Sequence, residues 1–262
     1  MQSVWSSIAK FASVAVFFAL FSGCSESEPR DELVMFCAAG MKAPVSRIAE
    51  QYEKEKGVTI QLQFAGSGAL LSNLQIAPGD IYLAADSSYM DEASKRDLIT
   101  ETFAVAEMKA GLGVPDGNPK QLKSLSDIRK ADVRVAIGNP EAASIGRFTK
   151  KIMTQHGAWE GFEPTALFPT VNELANAIKL NTVDAVILWD AIAHQYPEID
   201  FVALPEFDAE IKDVTIAVTK SAKQADLARE FCLYLSASDK GGVIFEEEGY
   251  TISSNKQNVQ SE

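Results

Sequence analysis

The sequence contains few of the residues on which metal sites and nucleic-acid contacts depend. Its 262 residues include two histidines, His156 and His194, and three cysteines without a CxxC pair. Because a structural zinc site needs several Cys and His ligands at short spacing, no site for a bare metal cation is expected. Basic residues are also in the minority, with 24 Lys and Arg against 36 Asp and Glu, for a net charge of −12. Since nucleic acids are bound by basic surfaces, this charge argues against a nucleic-acid partner.

Nucleotide-binding fingerprints and long apolar runs are absent as well. The third glycine of a GxGxxG motif after Gly66 and Gly68 is replaced by Leu71, and GxxxxGK[ST] does not occur. An apolar run over residues 11–21 follows Lys10. It is too short to cross about 30 Å of hydrocarbon as a helix, but its length is typical of a signal-peptide core.

The end of this run is similar to a bacterial lipobox. Ser22-Gly23-Cys24 has the small-small-Cys pattern in which the cysteine is the cleavage and lipidation site, although Phe21 stands where Leu is usual. We therefore predict a lipoprotein signal peptide over residues 1–23 and a lipid-anchored tether over residues 24–32. The folded part is then exported and held at the membrane, in the periplasm or on the outer face of the cell membrane. The alternative is a plain secretory signal in which Cys24 is incidental.

The two remaining cysteines lie among apolar residues. Cys37 falls in a predicted strand and Cys232 in a predicted helix. Buried free thiols are the favoured interpretation, and a disulfide between them in an oxidising compartment is the alternative.

The chain after the tether alternates strands and helices, which predicts an α/β fold with parallel sheets. One turn is the most informative. Residues 58–64 alternate with period two, residues 70–74 have helical spacing, and Gly66-Ser67-Gly68 joins them. Amides at a helix start favour an anion, and the glycines allow a ligand to approach the backbone. The alternative is that these small residues serve turn geometry alone.

Two further features bear on a site. Thr170-Val171-Asn172-Glu173 fits a helix capping box, so Glu173 has a structural explanation, and ligand contact is the sharper alternative. The chain changes character near residues 103–107, where we place a crossing between domains.

Six segments follow one another in a characteristic order and spacing: Phe36–Gly40, Phe64–Ser67, Asp80–Asp86, Gly138–Glu141, Gly157–Trp159 and the strand that begins at Asp184. Together they resemble the molybdate-binding substrate-binding proteins of ABC transporters, within the type II periplasmic-binding-protein fold. The resemblance implies two lobes, each a mostly parallel sheet flanked by helices, with a ligand cleft between them. Lobe I would comprise residues 33–104 and 216–262, and lobe II residues 105–215.

The resemblance also implies a set of ligand-binding residues. The family holds its oxyanion with neutral donors, and the corresponding positions here are Gly40, Ser67, Ile145, Val171 and Trp189. Two of them depart from the family pattern, because Gly40 lacks a hydroxyl and Trp189 offers an indole N–H in place of a tyrosine hydroxyl. These departures put selectivity for molybdate in question, but not the oxyanion.

Two charged residues lie close to these positions. Arg147 either adds positive charge to the site or is solvated or paired with an acid. Asp190 would repel an anion if it pointed inward, and is expected to cap the following helix instead.

The implied function is capture of molybdate or tungstate by an exported monomer without a cofactor, for delivery to the permease subunits of an ABC importer. Alternatives within the fold are another oxyanion such as sulfate, a small organic acid, or delivery to a sensor. A distant alternative is a serine hydrolase with Ser67 as nucleophile. The elbow glycines that such a nucleophile needs are replaced by Ala65 and Ala69.

Overall fold

The computed structural model describes residues 31–208 and 210–252. The predicted signal peptide, Cys24 and tether residues 24–30 lie outside these residues, as do residues 253–262 of predicted lobe I. Among the described helices, none combines the length and apolar character needed to cross a membrane.

The described chain forms two β-sheets flanked by helices, which confirms the predicted two-sheet α/β architecture. The strands are β1 (Glu32–Ala38), β2 (Thr59–Ala65), β3 (Ile81–Ala84), β4 (Ile99–Met108), β5 (Ala110–Pro115), β6 (Val135–Gly138), β7 (Ala166–Phe168), β8 (Ala185–Trp189), β9 (Ile199–Ala203), β10 (Lys212–Thr219) and β11 (Thr251–Ile252). Sheet I has the spatial order β11-β4-β10-β3-β1-β2, and sheet II has the order β7-β6-β8-β5-β9.

Helices connect most of these strands. They are α1 (Lys42–Lys56), α2 (Ser67–Leu74), α3 (Ser88–Lys95), α4 (Ser144–Gln155), α5 (Val171–Lys179), α6 (Asp190–His194), α7 (Pro205–Asp208), α8 (Ala225–Ser236) and α9 (Gly241–Glu247), with 3-10 turns at Ala39–Met41 and Asp127–Arg129. The predicted apolar face of α1 is buried against sheet I through Val45, Ile48, Ala49 and Tyr52. Gly57, with φ of 74°, ends this helix in the left-handed conformation that favours glycine.

Parallel pairing is confined to the strand–helix repeats. β1 pairs in parallel with β2 and β3, and β6 pairs in parallel with β7 and β8. The strands by which the chain passes between the sheets, β4, β5 and β10, pair antiparallel with their neighbours. The expectation of mostly parallel sheets therefore describes the repeats and not the crossing strands. The predicted lobe boundaries, after residue 104 and before residue 216, fall inside β4 and β10 and stay a prediction.

Three of the parallel strands, β3, β6 and β8, lie in the buried interior of their sheets, whereas β2 and β7 are edge strands. Every residue of β3, β6 and β8 is buried, as expected for strands covered on both faces. Cys37 and Cys232 lie in the same core as free, fully buried cysteines, which confirms the interpretation as free thiols. Burial raises the pKa of both thiols, so both stay protonated and unreactive at neutral pH.

Candidate functional site

Turns at the carboxyl ends of the parallel strands of both sheets meet around one small cavity. Its volume is about 20 Å³, which is far below the several hundred Å³ typical of pockets for drug-sized organic ligands. All of the predicted ligand-binding residues line it: Gly40, Ser67, Ile145, Val171 and Trp189. The structure thus brings together residues that are far apart in the chain, from Gly40 to Trp189.

The lining of this cavity is neutral. Among the described residues that line it, none carries a charged side chain, and the polar side chains are those of Ser67, Ser144, Thr170 and Trp189. Across residues 31–208 and 210–252, no group of three or more His, Cys, Asp and Glu is arranged to hold a metal ion. A ligand in this cavity is therefore recognised by hydrogen bonds and dipoles.

Helix starts converge on the cavity from both sheets. The 3-10 turn that leads into α1 and the first turn of α2 come from sheet I, and the first turns of α4 and α5 come from sheet II. The first amides of a helix have no internal acceptor, and the helix dipole places about half a positive charge there. Within the described part of the chain, no acceptor is found for the amides of Gly40, Ser67, Ile145 and Val171. Helix starts arranged in this way favour an anion over a cation or a neutral ligand.

Ser67 combines an amide and a hydroxyl at one of these helix starts. It is 1% exposed, and its Oγ accepts a hydrogen bond from the Ala85 amide at 3.2 Å. The Tyr82 hydroxyl donates to the Ser67 carbonyl at 2.9 Å, which fixes the backbone of the turn. A serine hydroxyl has one proton to donate, and the bond from Ala85 leaves that proton free for a ligand.

The glycines that flank Ser67 also admit a close approach of protein backbone, beside the ligand approach expected from the sequence. A Cβ at Gly66 would lie 2.3 Å from the Ala142 carbonyl oxygen and 2.6 Å from that of Pro169. The Ala142 carbonyl also accepts from the Gly68 amide at 3.0 Å and from the Ala69 amide at 3.4 Å. The close approach is therefore made by backbone from the sheet II side, and two of the α2 amides expected to bind an anion are already occupied.

Arg147 provides a second contact between the two sides. It lies in α4, its Nη2 is 2.9 Å from Glu92 Oε2 of α3, and its guanidinium lies 4.3 Å from the Tyr89 ring centroid. This hydrogen bond lowers the pKa of the Glu92 carboxyl, so the pair stays ionised at neutral pH. Arg147 does not line the cavity, and the interpretation as a residue paired with an acid is confirmed.

The two acidic residues near the site are engaged in local structure. Asp190 Oδ1 accepts from the Lys109 amide at 3.0 Å and from the Ala191 amide at 2.8 Å, at the start of α6. Burial raises the pKa of Asp190. The Glu173 amide donates a hydrogen bond to Thr170 Oγ1 at 3.4 Å, and the Glu173 carboxylate accepts one from the same hydroxyl at 2.8 Å. A capping box would instead have this carboxylate accept from the Thr170 amide. Neither carboxylate lines the cavity.

Trp189 is both a packing residue and part of the cavity wall. It is 1% exposed and stacks on Phe148 with ring centroids 5.8 Å apart. No hydrogen bond of its indole N–H is found within residues 31–208 and 210–252, and Trp189 lines the cavity. The position of Trp189 is therefore compatible both with packing in the core and with donation of its indole N–H to a ligand.

Besides Thr170, which was predicted only as a helix cap, sequence reasoning missed a second polar residue of the cavity, Ser144. It is the first residue of α4, it is 5% exposed, and it lines the cavity beside Ile145. The small-residue passage Ala142-Ala143-Ser144 marks a turn into a helix, but this composition does not show which of its members face a ligand.

A larger groove of about 480 Å³ lies between α1 and α9, but it has a different character. It is open to solvent and lined by charges of both signs, including Arg47 and Glu247. These two form an ion pair of 2.6 Å, so the lining of the groove is charged, whereas that of the small cavity is neutral. We therefore take the small cavity as the candidate site.

Comparisons with known proteins agree with the observed fold. The family model described as "Bacterial extracellular solute-binding protein" matches residues 33–251. The molybdate-binding protein ModA of Mycobacterium tuberculosis is 28% identical over 225 residues, covering 83% of this chain and 84% of that protein. ModA of Escherichia coli is 26% identical over 255 residues, covering 92% and 96%. The solved periplasmic molybdate-binding protein of Azotobacter vinelandii superposes with a TM-score of 0.71 at 18% identity, covering 85% of this chain and all of the other.

Proposed function

The chain belongs to the bacterial extracellular solute-binding protein family, and we propose that its small cavity binds molybdate for delivery to an ABC import permease. The observation that carries this proposal is the convergence of helix starts, with unpaired amides at Gly40, Ser67, Ile145 and Val171, on a cavity lined by no charged side chain among the described residues. Relatives that cover most of the chain are named as molybdate-binding proteins.

The chemistry of the donors favours a fully deprotonated tetrahedral oxyanion. Backbone amides and an indole N–H only donate hydrogen bonds, so each of them needs an acceptor oxygen. A protonated ligand such as hydrogenphosphate would place an O–H against a donor, and a buried bond left unmade costs about 1–3 kcal/mol. Molybdate and tungstate present four acceptor oxygens at neutral pH, so both are proposed ligands. The small volume of the cavity is unfavourable for organic acids.

The proposed setting is outside the cytoplasm. Lipidation of Cys24 would hold the protein at the membrane, and residues 25–30 would form part of the tether. The protein is proposed to act as a monomer. Support for this comes from the small-small-Cys pattern after the apolar run, and from a family of extracellular proteins.

A hydrolase with Ser67 as nucleophile has less support. Ser67 would need a histidine as general base within hydrogen-bond reach. Neither His156 nor His194 is among the residues that line the cavity.

Thermal unfolding with a panel of anions tests the proposed function. Because a ligand that binds only the folded state stabilises it by mass action, micromolar molybdate or tungstate should raise the Tm of the purified protein. Hydrogenphosphate and small organic acids at the same concentration should leave it unchanged. A shift with sulfate or an organic acid, alongside none with molybdate, would contradict the assignment of the ligand.

Replacing Ser67 with alanine should weaken molybdate binding by about 1–3 kcal/mol, because a hydrogen bond to a charged ligand is lost. Isothermal titration calorimetry measures the change. Ser72→Ala is the matched control, since Ser72 lies on the exposed face of the same helix and should bind as the wild type does. Equal affinity of Ser67→Ala and Ser72→Ala would show that Ser67 is a turn residue only.

A further inference from the structure

Ser144 is a buried residue of the cavity wall, and its hydroxyl makes no hydrogen bond with the described protein. The residue is 5% exposed, and no donor or acceptor for its Oγ is found in residues 31–208 and 210–252. Polar groups of buried residues nearly always have a hydrogen-bond partner. Because the Ser144 Oγ is not fully enclosed by protein, its partner is a molecule that occupies the cavity.

The other hydroxyls of the cavity show why Ser144 stands apart. Thr170 Oγ1 donates to the Glu173 carboxylate at 2.8 Å and accepts from the Glu173 amide, so its proton is already used. Ser67 Oγ accepts from Ala85 and keeps its proton. The cavity therefore has two hydroxyl protons available, from Ser67 after β2 in sheet I and from Ser144 after β6 in sheet II.

We infer that the Ser144 hydroxyl donates a hydrogen bond to the bound oxyanion, opposite Ser67. It thereby supplies a hydroxyl donor that Gly40 and Trp189 lack. This inference rests on the proposed function of the cavity. Ser144 also begins α4, so its hydroxyl and the adjacent Ile145 amide reach the ligand from one helix start. An anion that accepts from Ser67 on the sheet I side and from Ser144 on the sheet II side binds more tightly when these two sides of the cavity are close together.

Replacing Ser144 with alanine tests the inference. Alanine is a good helix former at the start of α4, so the fold should persist, with a circular dichroism spectrum and ligand-free Tm close to the wild type. The Kd for molybdate, measured by calorimetry on the purified protein, should rise about ten- to a hundredfold. Thr154→Ala is the matched control, because Thr154 lies on the exposed face of the same helix and its hydroxyl donates a hydrogen bond to the Lys150 carbonyl. It should leave the Kd unchanged.

A second variant separates loss of the hydroxyl from a change in packing. A Cβ at Gly40 would lie 3.3 Å from Val171 Cγ1 and 3.5 Å from Ile192 Cδ1, so a serine fits there with a small adjustment. Adding Gly40→Ser to the Ser144→Ala protein should recover part of the lost affinity. Wild-type affinity in Ser144→Ala, while Ser67→Ala is weakened, would overturn the inference and leave the proposed function intact. Failure of the wild type to bind molybdate or tungstate would overturn the proposed function itself.

Discussion

Replacing Gly66 with alanine should weaken molybdate binding by at least about a hundredfold, because the two sides of the cavity could no longer meet. The new Cβ would lie 2.3 Å from the Ala142 carbonyl oxygen and 2.6 Å from that of Pro169. Both are backbone atoms of the sheet II side and do not turn away as a side chain does. The two sides must then move apart, and the donors at Ile145 and Val171 leave those at Gly40 and Ser67. Each charge-assisted bond lost costs about 1.5–3 kcal/mol, and more than one is lost.

Calorimetry with molybdate measures this loss, and small-angle scattering with ligand present should show a larger radius of gyration than the wild type. Gly66 has φ of −68°, so the backbone itself accepts alanine. Gly242→Ala is the control, because it adds the same methyl group in α9, away from the cavity. Wild-type affinity in Gly66→Ala would mean that the approach of Ala142 and Pro169 is not needed for binding.

Replacing Val171 with proline should weaken molybdate binding about ten- to a hundredfold by deleting a single backbone donor. Proline has no N–H, and it is well tolerated at the first position of a helix, which Val171 occupies in α5. Thr170, with φ of −134° and ψ of 154°, already has the extended conformation that a following proline requires. The amide is therefore removed with little disturbance of the helix.

Val171→Ala is the matched control for this variant. It shortens the side chain and keeps the amide, so its Kd should lie much closer to that of the wild type. The comparison is made by calorimetry, with the ligand-free Tm of each protein as a check on folding. Equal losses in the proline and alanine variants would assign the effect to the Val171 side chain and contradict a role for its amide.

The sequence allowed the general position of the candidate site to be predicted because strand–helix repeats place their turns at one edge of a sheet. Gly40, Ser67 and Ile145 follow strands β1, β2 and β6, and all three line the cavity. The order of these turns, together with the family resemblance, was sufficient to predict that residues from both sheets line one candidate site. The capping box at Thr170 was equally local, and it positions the amide of Val171.

The remaining features depend on contacts between distant parts of the chain. Gly66 and Gly68 also admit the Ala142 carbonyl, and no local sequence pattern reveals this contact. Ser144 was not singled out because a serine at a helix start faces either solvent or a cavity according to how the sheets pack. Arg147 finds its partner Glu92 in another helix, and the sequence alone left its partner open.

A crystal structure of the purified protein grown with molybdate, with diffraction measured at the molybdenum absorption edge, tests the central claim most directly. The proposal predicts one anomalous peak within the cavity lined by Gly40, Ser67, Ile145, Val171 and Trp189. Ligand oxygens should lie within hydrogen-bond distance of the amides and of the Ser67 hydroxyl, about 2.7–3.2 Å from the donor atoms. A peak at another place on the protein, or a ligand held in this cavity by charged side chains, would contradict it.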